Sequence, residues 1–309
     1  MPTRAEPLRQ QALAHAAVAV AVATWGCSNV VIKAVGVTGL IASFYRLLFA
    51  LPLLWLVALA APTVRRRLDR RWARSCVIGG LLFSLHQLMF FNGLKYTSVA
   101  NVSIIGALQP VLVVLVAGRW FGERVLARHA LLALGAIAGT VVAVLGGSTA
   151  PGWSPFGDAL AVANLFAFTA YFLWSKQVRR EVGATEYVVG MTSVATLVIT
   201  GACVASGQDF ASPATEDWFW LVFLALVPGT TGHFLSIWAH AHTTAFAMST
   251  MLLAVPALAA VGAWYFLGEP LTAVQVLGGA ITLGSIAAIL APARAQPVPA
   301  AAPAAVRPG

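Results

Sequence analysis

The chain has 309 residues, of which 60% are hydrophobic and only 9% are charged, and its formal net charge is +9. A soluble globular domain carries about 25% charged residues, so this composition excludes an ordinary soluble domain and predicts an all-α integral membrane protein. The basic balance alone would suit a nucleic-acid partner, but the positions of the basic residues favour a different explanation.

Ten apolar stretches of the chain are long enough to cross a bilayer as helices, which takes about 20 residues each. In chain order they are residues 12–34, 38–61, 76–96, 99–118, 129–147, 157–177, 186–206, 217–240, 245–267 and 272–291. Residues 1–11 and the Ala/Pro-rich residues 292–309 are predicted to be tails, the second of them disordered. The first stretch is not expected to be a cleavable signal peptide, since Trp25, Asn29 and Lys33 interrupt its apolar run.

The Lys and Arg residues fall mostly on one side of the bilayer once the N-terminus is placed in the cytoplasm. Sixteen of the nineteen then face the cytoplasm, and the largest group lies within residues 65–74, as the positive-inside rule requires. The opposite loops carry Asp158, Asp209, Glu216, Asp217 and Glu269. The charge pattern therefore predicts a membrane orientation with both termini cytoplasmic, and no nucleic-acid partner.

Two passages of the sequence share one pattern. WFGER at 120–124 and YFLGEP at 265–270 both end an apolar run with Gly-Glu, each thirteen residues after a proline. Aligning Pro110 with Pro256 also pairs Ser103 with Ser249. These matches predict two copies of a five-helix unit, residues 12–147 and 157–291, joined by a linker at 148–156. Five is odd, so the second copy should be inverted, as in secondary transporters whose substrate site lies near the midplane.

The motifs ATWGCSNVVIK (23–33) and YRLLFA (45–50), the two Gly-Glu endings and the repeated Gly-Ala-Ile runs resemble the EamA branch of the drug/metabolite transporter superfamily. The resemblance covers residues 12–291. It implies ten transmembrane helices with cytoplasmic termini in a bacterial inner membrane. It also implies export of amino acids or related metabolites, those with aromatic or hydrophobic side chains among them.

Polar and aromatic side chains inside the spans are candidate substrate ligands, because a polar group in hydrocarbon usually faces protein or a water-filled cavity. The candidates are Trp25, Asn29, His86, Gln87, Ser103, Gln109, Asn164, Tyr171, His233 and Ser249. Each has a structural alternative. The Ser and Asn side chains could form interhelical hydrogen bonds, and the histidines and aromatic residues could be packing residues.

Arg46 lies about eight residues inside the second span, roughly 12 Å along the helix axis. No Asp or Glu occurs at comparable depth in the apolar spans. Arg46 could reach outward to the interface, bind backbone carbonyls, or hold a substrate carboxylate near the pathway.

Four residues are candidate hinges or gates. Pro110 and Pro256 should kink the fourth and ninth spans, as hinges beside a cavity or as plain packing kinks. Glu123 and Glu269 end helices where the dipole disfavours negative charge, so we expect them to accept hydrogen bonds from amides at the start of the following helix. They would then act as a structural lock between helices or as gates.

Several absences narrow the function. No carboxylate occurs mid-span to attract cations, which favours zwitterionic or neutral solutes moved by alternating access. No nucleotide-binding motif and no metal-ligand spacing is present, so we expect no cofactor and no metal. A membrane enzyme is disfavoured because neither His86 nor His233 has an acidic neighbour and no G-x-S-x-G occurs. Exporters of other metabolites or drugs, and a scaffold or receptor without a cavity, remain alternatives. The expected partners are a small solute and lipid, and a monomer should suffice.

Overall fold

The computed structural model describes residues 5–60, 70–147, 154–211, 213–267 and 271–291, and its regular structure is helical throughout these ranges. The helices are α1 (Ala5–Ala34), α2 (Gly39–Ala60), α3 (Arg70–Tyr96), α4 (Val99–Gly106), α5 (Gln109–Phe121), α6 (Ala127–Gly147), α7 (Pro155–Val178), α8 (Ala184–Ala205), α9 (Asp217–Leu224), α10 (His233–Ala239), α11 (Ala245–Met251), α12 (Ala254–Leu267) and α13 (Ala273–Leu290). A π-helical segment, Ala225–Gly232, joins α9 to α10.

Nine helical stretches within the described residues are long and apolar enough to cross a membrane, and Ala245–Val261 is a shorter apolar one. The prediction of a multi-pass, all-helical membrane protein is thus confirmed. Two helices begin earlier than their apolar cores predict. α1 begins at Ala5, so residues 5–11 are helical, and α3 begins at Arg70 rather than at 76. Arginine is a good helix former, so a helix can continue past the apolar segment into polar surroundings.

The fourth and ninth spans are each interrupted just before their proline. α4 and α5 are separated at residues 107–108, and α11 and α12 at residues 252–253. At both breaks an amide donates to the carbonyl three residues earlier, as in a 3₁₀-helix: Leu108 N to Ile105 O and Leu253 N to Thr250 O. Proline has no N–H to donate to the carbonyl four residues earlier, and here Pro110 and Pro256 lie in the first turns of new helices, α5 and α12.

The eighth span holds an irregularity that its apolar pattern does not predict. Its π-helical segment contains Pro228 and Gly229. The hydroxyls of Thr230 and Thr231 donate to the carbonyls of Ala225 and Leu226. The Trp25 indole of α1 donates to the carbonyl of Pro228, 3.1 Å away. These bonds satisfy carbonyls that an irregular helix would otherwise leave unpaired in lipid.

Hydrogen bonds define two ends of the bundle. At one end, which we call the acidic end, Lys33 donates to the Thr97 carbonyl and Asp217 accepts from the Gly36 amide. At the other end, called the basic end, Lys176 donates to the Thr243 carbonyl. α1 and its predicted counterpart α7 therefore finish at opposite ends, and Lys33 and Lys176 make equivalent bonds there.

The helix contacts repeat in the same way. α3 packs on α7 as α1 packs on α10 and the π-helical segment, while α2 packs on α8 and α6 on α13. The α6–α13 contact is the closest of these, because Gly139 and Gly278 face each other across it. Between the two halves lies the space that holds the site.

Candidate functional site

A central cavity of about 150 Å³ lies between the two halves of the bundle. Nine of the ten predicted ligands line this cavity, namely Trp25, Asn29, His86, Gln87, Ser103, Gln109, Asn164, His233 and Ser249. Arg46 and Pro256 line it as well. The structure thus brings together residues from both halves of the chain, and their binding role stays a prediction.

Tyr171 is the predicted ligand that does not line the cavity. Its ring is 4% exposed and stacks with His86 at 6.2 Å between ring centroids. Phe168, one turn earlier on α7, lines the cavity in its place. The sequence did not predict the depth of this side chain, which supports His86 from behind.

Sequence reasoning also missed residues that line the cavity. Phe90, Phe91 and Phe168 contribute aromatic surface, and Ser28 and Thr140 contribute hydroxyls. The phenylalanines gave no usable signal, since an aromatic residue in an apolar span faces lipid as readily as a cavity. Ser28 was detectable in principle, because it stands beside Asn29 in a polar break of the first span.

A connected group of aromatic and imidazole rings forms part of the cavity wall. Trp25 meets His233 edge to face, with ring centroids 4.9 Å apart, and Phe83 supports His233 at 4.9 Å. His86 belongs to the same group of rings, since its ring centroid lies 6.0 Å from that of Phe83 and 4.7 Å from that of Phe168. Such walls suit a flat apolar group, which gains from offset or edge contacts with the rings.

Polar contacts fix several of these side chains. The Nδ1 atom of His86 lies 2.7 Å from Oδ1 of Asn164, which orients both groups. Arg46 Nη2 lies 3.4 Å from His233 Nε2. Other buried polar atoms have no protein partner: both amide atoms of Gln87, Nε2 of Gln109 and Nδ1 of His233. Buried polar atoms without partners are uncommon in proteins. These four belong to residues that line the cavity, whereas Ser43 Oγ and His240 Nδ1, also without partners, lie outside its lining.

The two halves of the bundle are packed differently around the cavity. All seven residues of α11 are buried, whereas only Val102 of its counterpart α4 is buried. α11 packs on α5, and no contact of similar extent joins α4 to α12 within the described residues. The bundle is therefore tighter at the basic end, and the cavity is less covered on the side of α4.

Glu123 lies at the tight end. Its carboxylate accepts hydrogen bonds from the amides of Ala245 at 2.8 Å and Phe246 at 3.2 Å, and Nζ of Lys176 lies 3.6 Å from it. The expected partner, the start of the following helix, is wrong: the amides belong to α11, 122 residues further along the chain. The free N–H groups of a helix start attract a carboxylate, and the fold brings α11 to Glu123. Glu269 lies outside the described residues.

Comparison with known proteins adds the family. The sequence model of the EamA-like transporter family matches the chain twice, over residues 12–145 and 155–291. The chain belongs to the EamA-like transporter family. It is accordingly a membrane transporter and not an enzyme.

Two relatives of this EamA-like transporter are named as amino-acid exporters. The aromatic amino acid exporter YddG of Ancylobacter novellus is 32% identical over 155 residues, which cover 49% of this chain and 52% of YddG. The match with YddG thus spans about half of that protein. A probable terminal-alkyne amino-acid exporter of Streptantibioticus cattleyicolor is 27% identical over 227 residues, 72% of this chain and 74% of that one.

The fold is also shared with a solved protein. One crystal structure superposes on the EamA-like transporter with a TM-score of 0.76 at 19% identity, over 91% of this chain and 98% of the other. At this identity the likeness concerns the fold alone.

The basic end of the EamA-like transporter also carries a buried histidine. Burial, together with the positive charges of Lys176 and Arg179, holds the pKa of His240 well below its usual 6.5. In the unfolded chain the group titrates near 6.5. The unfolded state therefore binds one more proton below that pH, and stability falls as the pH falls.

We expect the stability of the wild-type protein to be full above pH 6.5 and to decrease below it, by about 1.4 kcal/mol per pH unit for this one group. His240→Asn removes this titrating group, so the dependence of stability on pH should become shallower by about 1.4 kcal/mol per pH unit. Thermal unfolding in detergent at pH 7.5, 6.5 and 5.5 measures both slopes. Identical slopes for the two proteins would show that His240 takes up a proton in the folded state.

Proposed function

We propose that the chain is a secondary transporter with ten spans in two inverted five-helix repeats, in a bacterial inner membrane with both termini cytoplasmic. It would export small zwitterionic or neutral metabolites by alternating access, with aromatic and hydrophobic amino acids as the leading class. The observation that carries the proposal is the central cavity, which combines aromatic walls with partnerless buried polar groups contributed by both halves. The names of the two relatives support the substrate class.

The packing and the charges together support a proposal for which side of the membrane this state faces. The bundle is tight at the basic end, and the positive-inside rule assigns basic residues to the cytoplasm. The structure would then correspond to a state that faces outward. Alternating access requires a second state in which α11 leaves α5 and α4 closes the opposite side.

Export of other metabolites or of drugs is the second candidate function, because the cavity would also accept an apolar metabolite or drug. A non-transporting scaffold is disfavoured because it gives no reason for a cavity lined by buried polar groups.

The direct test is counterflow in proteoliposomes loaded with one unlabelled solute and given a labelled one outside. We expect uptake of labelled L-phenylalanine, L-tryptophan or L-leucine above that of empty liposomes. L-lysine and tetraphenylphosphonium should give none, because the described cavity lining carries no carboxylate. Uptake of tetraphenylphosphonium without any amino acid would contradict the proposed substrate class.

Trp25→Ala and His86→Ala should each lower the uptake rate at low substrate concentration about tenfold. Trp25 loses a ring contact worth about 0.5–1.5 kcal/mol and the hydrogen bond that holds the π-helical segment. His86→Ala leaves Asn164 without its partner. Trp264→Ala is the matched control, since Trp264 is an exposed residue of α12 outside the cavity lining. Unchanged uptake in both cavity variants would remove this cavity from the transport path.

A further inference from the structure

The cavity holds a buried positive charge with no counter-ion in the described part of the chain. Arg46 on α2 is 4% exposed and lines the cavity. A guanidinium has five N–H donors, yet its one hydrogen bond there goes to Nε2 of His233, 3.4 Å away. Its Cζ atom also lies 5.6 Å from the ring centroid of Phe91. An unpaired charge at this depth in a membrane protein is costly and is usually functional.

His233 beside Arg46, and two glutamines that line the same cavity, add further donors. Because a guanidinium can only donate, Nε2 of His233 must accept, and the proton of this imidazole is then on Nδ1. That Nδ1 is buried without a partner. The side chain of Gln87 is fully buried with neither amide atom bonded, and Nε2 of Gln109 is unbonded too. A group that offers negatively charged oxygens would satisfy the guanidinium and one or more of these donors.

The cavity offers much less to a cation. Its lining contains Arg46 and no Asp or Glu among the described residues. An ammonium group would meet neutral oxygens, such as those of Asn29, Ser103 and Ser249, and aromatic rings. A hydrogen bond to a charged group contributes about twice as much as one between neutral groups, so the site favours an anion over a cation.

We infer that this cavity recognises its solute by a carboxylate bound to Arg46 and does not require an ammonium group. The substrate class is then monocarboxylates with an aromatic or hydrophobic body, of which amino acids are one subset. The inference rests on the proposed function for its transport meaning, but the binding preference can be tested without any flux.

The test uses purified wild-type protein in detergent and matched compounds. L-Phenylalanine carries both head groups, 3-phenylpropionate the carboxylate alone, and phenethylamine the ammonium alone. Titration calorimetry should place the dissociation constant of 3-phenylpropionate within about threefold of phenylalanine, and that of phenethylamine at least about tenfold higher. Equal or tighter binding of phenethylamine overturns the inference, and so does the absence of binding by both carboxylates.

Variants then assign the carboxylate to Arg46. Arg46→Gln should weaken 3-phenylpropionate binding at least about tenfold while leaving that of indole, a neutral aromatic probe, within about threefold. Arg119→Gln is the matched control, because Arg119 is an exposed residue at the end of α5. Equal loss for 3-phenylpropionate and indole would mean that Arg46 only maintains the cavity, which contradicts the assignment. If Arg46→Gln does not fold, the wild-type titrations decide.

The failure of this inference can be distinguished from the failure of the proposed function. Carboxylates that bind without counterflow would leave the anion preference standing and remove the transport proposal. Suppose instead that phenylalanine counterflow is observed and that phenethylamine inhibits it as strongly as 3-phenylpropionate does. The transport proposal would then stand, and the anion preference would be wrong.

Discussion

Gly278→Ala should destabilise the protein by about 3 kcal/mol or more, although it adds a single methyl group. A Cβ atom at Gly278 on α13 would lie 2.3 Å from the backbone N of Ala143 and 2.6 Å from the carbonyl O of Gly139, both on α6. Both obstacles are backbone atoms of another helix, so no side-chain rotation relieves the clash. The two helices must move apart, and close packing along their whole contact is lost.

Thermal unfolding followed by gel filtration in detergent measures this loss. Gly284→Ala is the matched control, because Gly284 is on the same helix and a Cβ there would meet no atom within 4 Å. Gly139→Ala should also destabilise, since its Cβ would lie 2.8 Å from the Gly278 carbonyl. The double variant should lose less than the sum, because both methyl groups separate the same pair of helices. Equal stability of Gly278→Ala and Gly284→Ala would refute the close α6–α13 approach.

The polar lining of the cavity was largely predictable from the sequence. Hydrocarbon penalises a polar side chain, so the positions of residues such as Asn29 and His86 within apolar spans were enough to predict that they lie near a cavity. The repeat added Ser103 and Ser249 as a pair. The prediction failed for Tyr171, because an aromatic residue in an apolar span can also pack behind a cavity residue, as Tyr171 does against His86.

Contacts between distant parts of the chain were not predictable in this way. A helix end that carries Glu123 needs donors, but one sequence does not say which helix start supplies them. The nearest helix start along the chain was the natural expectation, whereas the fold brings α11 to it. The π-helical segment was missed for a related reason. Pro228 and Gly229 stand in an apolar run that is typical of a regular span, and the hydrogen bond from Trp25 that supports the segment comes from a different helix.

The sequence also did not decide the role of Arg46 in the cavity. Its depth in the second span and the lack of acidic residues at similar depth left three explanations open. The structure places the side chain in the cavity wall beside His233. Reaching the interface is excluded by its burial, and the hydrogen bonds of the described residues give it no backbone carbonyl partner.

We expect Glu123→Gln to shift the protein away from the state in which α11 packs on α5. Glutamine keeps one acceptor oxygen but loses the charge that attracts both amides of the α11 start and the Lys176 ammonium. The side chains of Glu123 and Lys176 are only 10% and 11% exposed, so solvent screens the pair weakly. Removing one partner of a buried pair costs about 3–5 kcal/mol. After discounting for partial exposure, we expect a change of roughly tenfold to a hundredfold in the equilibrium.

The labelling rate of a cysteine introduced into α11 reports this equilibrium. Ala247 is 9% exposed, so the Ala247→Cys variant should react slowly with a hydrophilic maleimide while the basic end is tight. Its rate should rise at least about tenfold when Glu123→Gln is added. The chain without the Ala247→Cys substitution is the blank for the three native cysteines. Glu181→Gln, which changes an exposed residue at the same end, is the matched control.

A gate and a structural lock predict different results for this pair. If Glu123 only fastens α5 to α11, Glu123→Gln lowers the melting temperature while the labelling rate well below that temperature stays the same. If the pair is part of a gate, labelling accelerates in the folded protein, and Lys176→Met reproduces the effect. The double variant should then add little, because each single change already removes the same ion pair. Slow labelling in all three variants would assign the pair to folding alone and leave the opening of the basic end to other contacts.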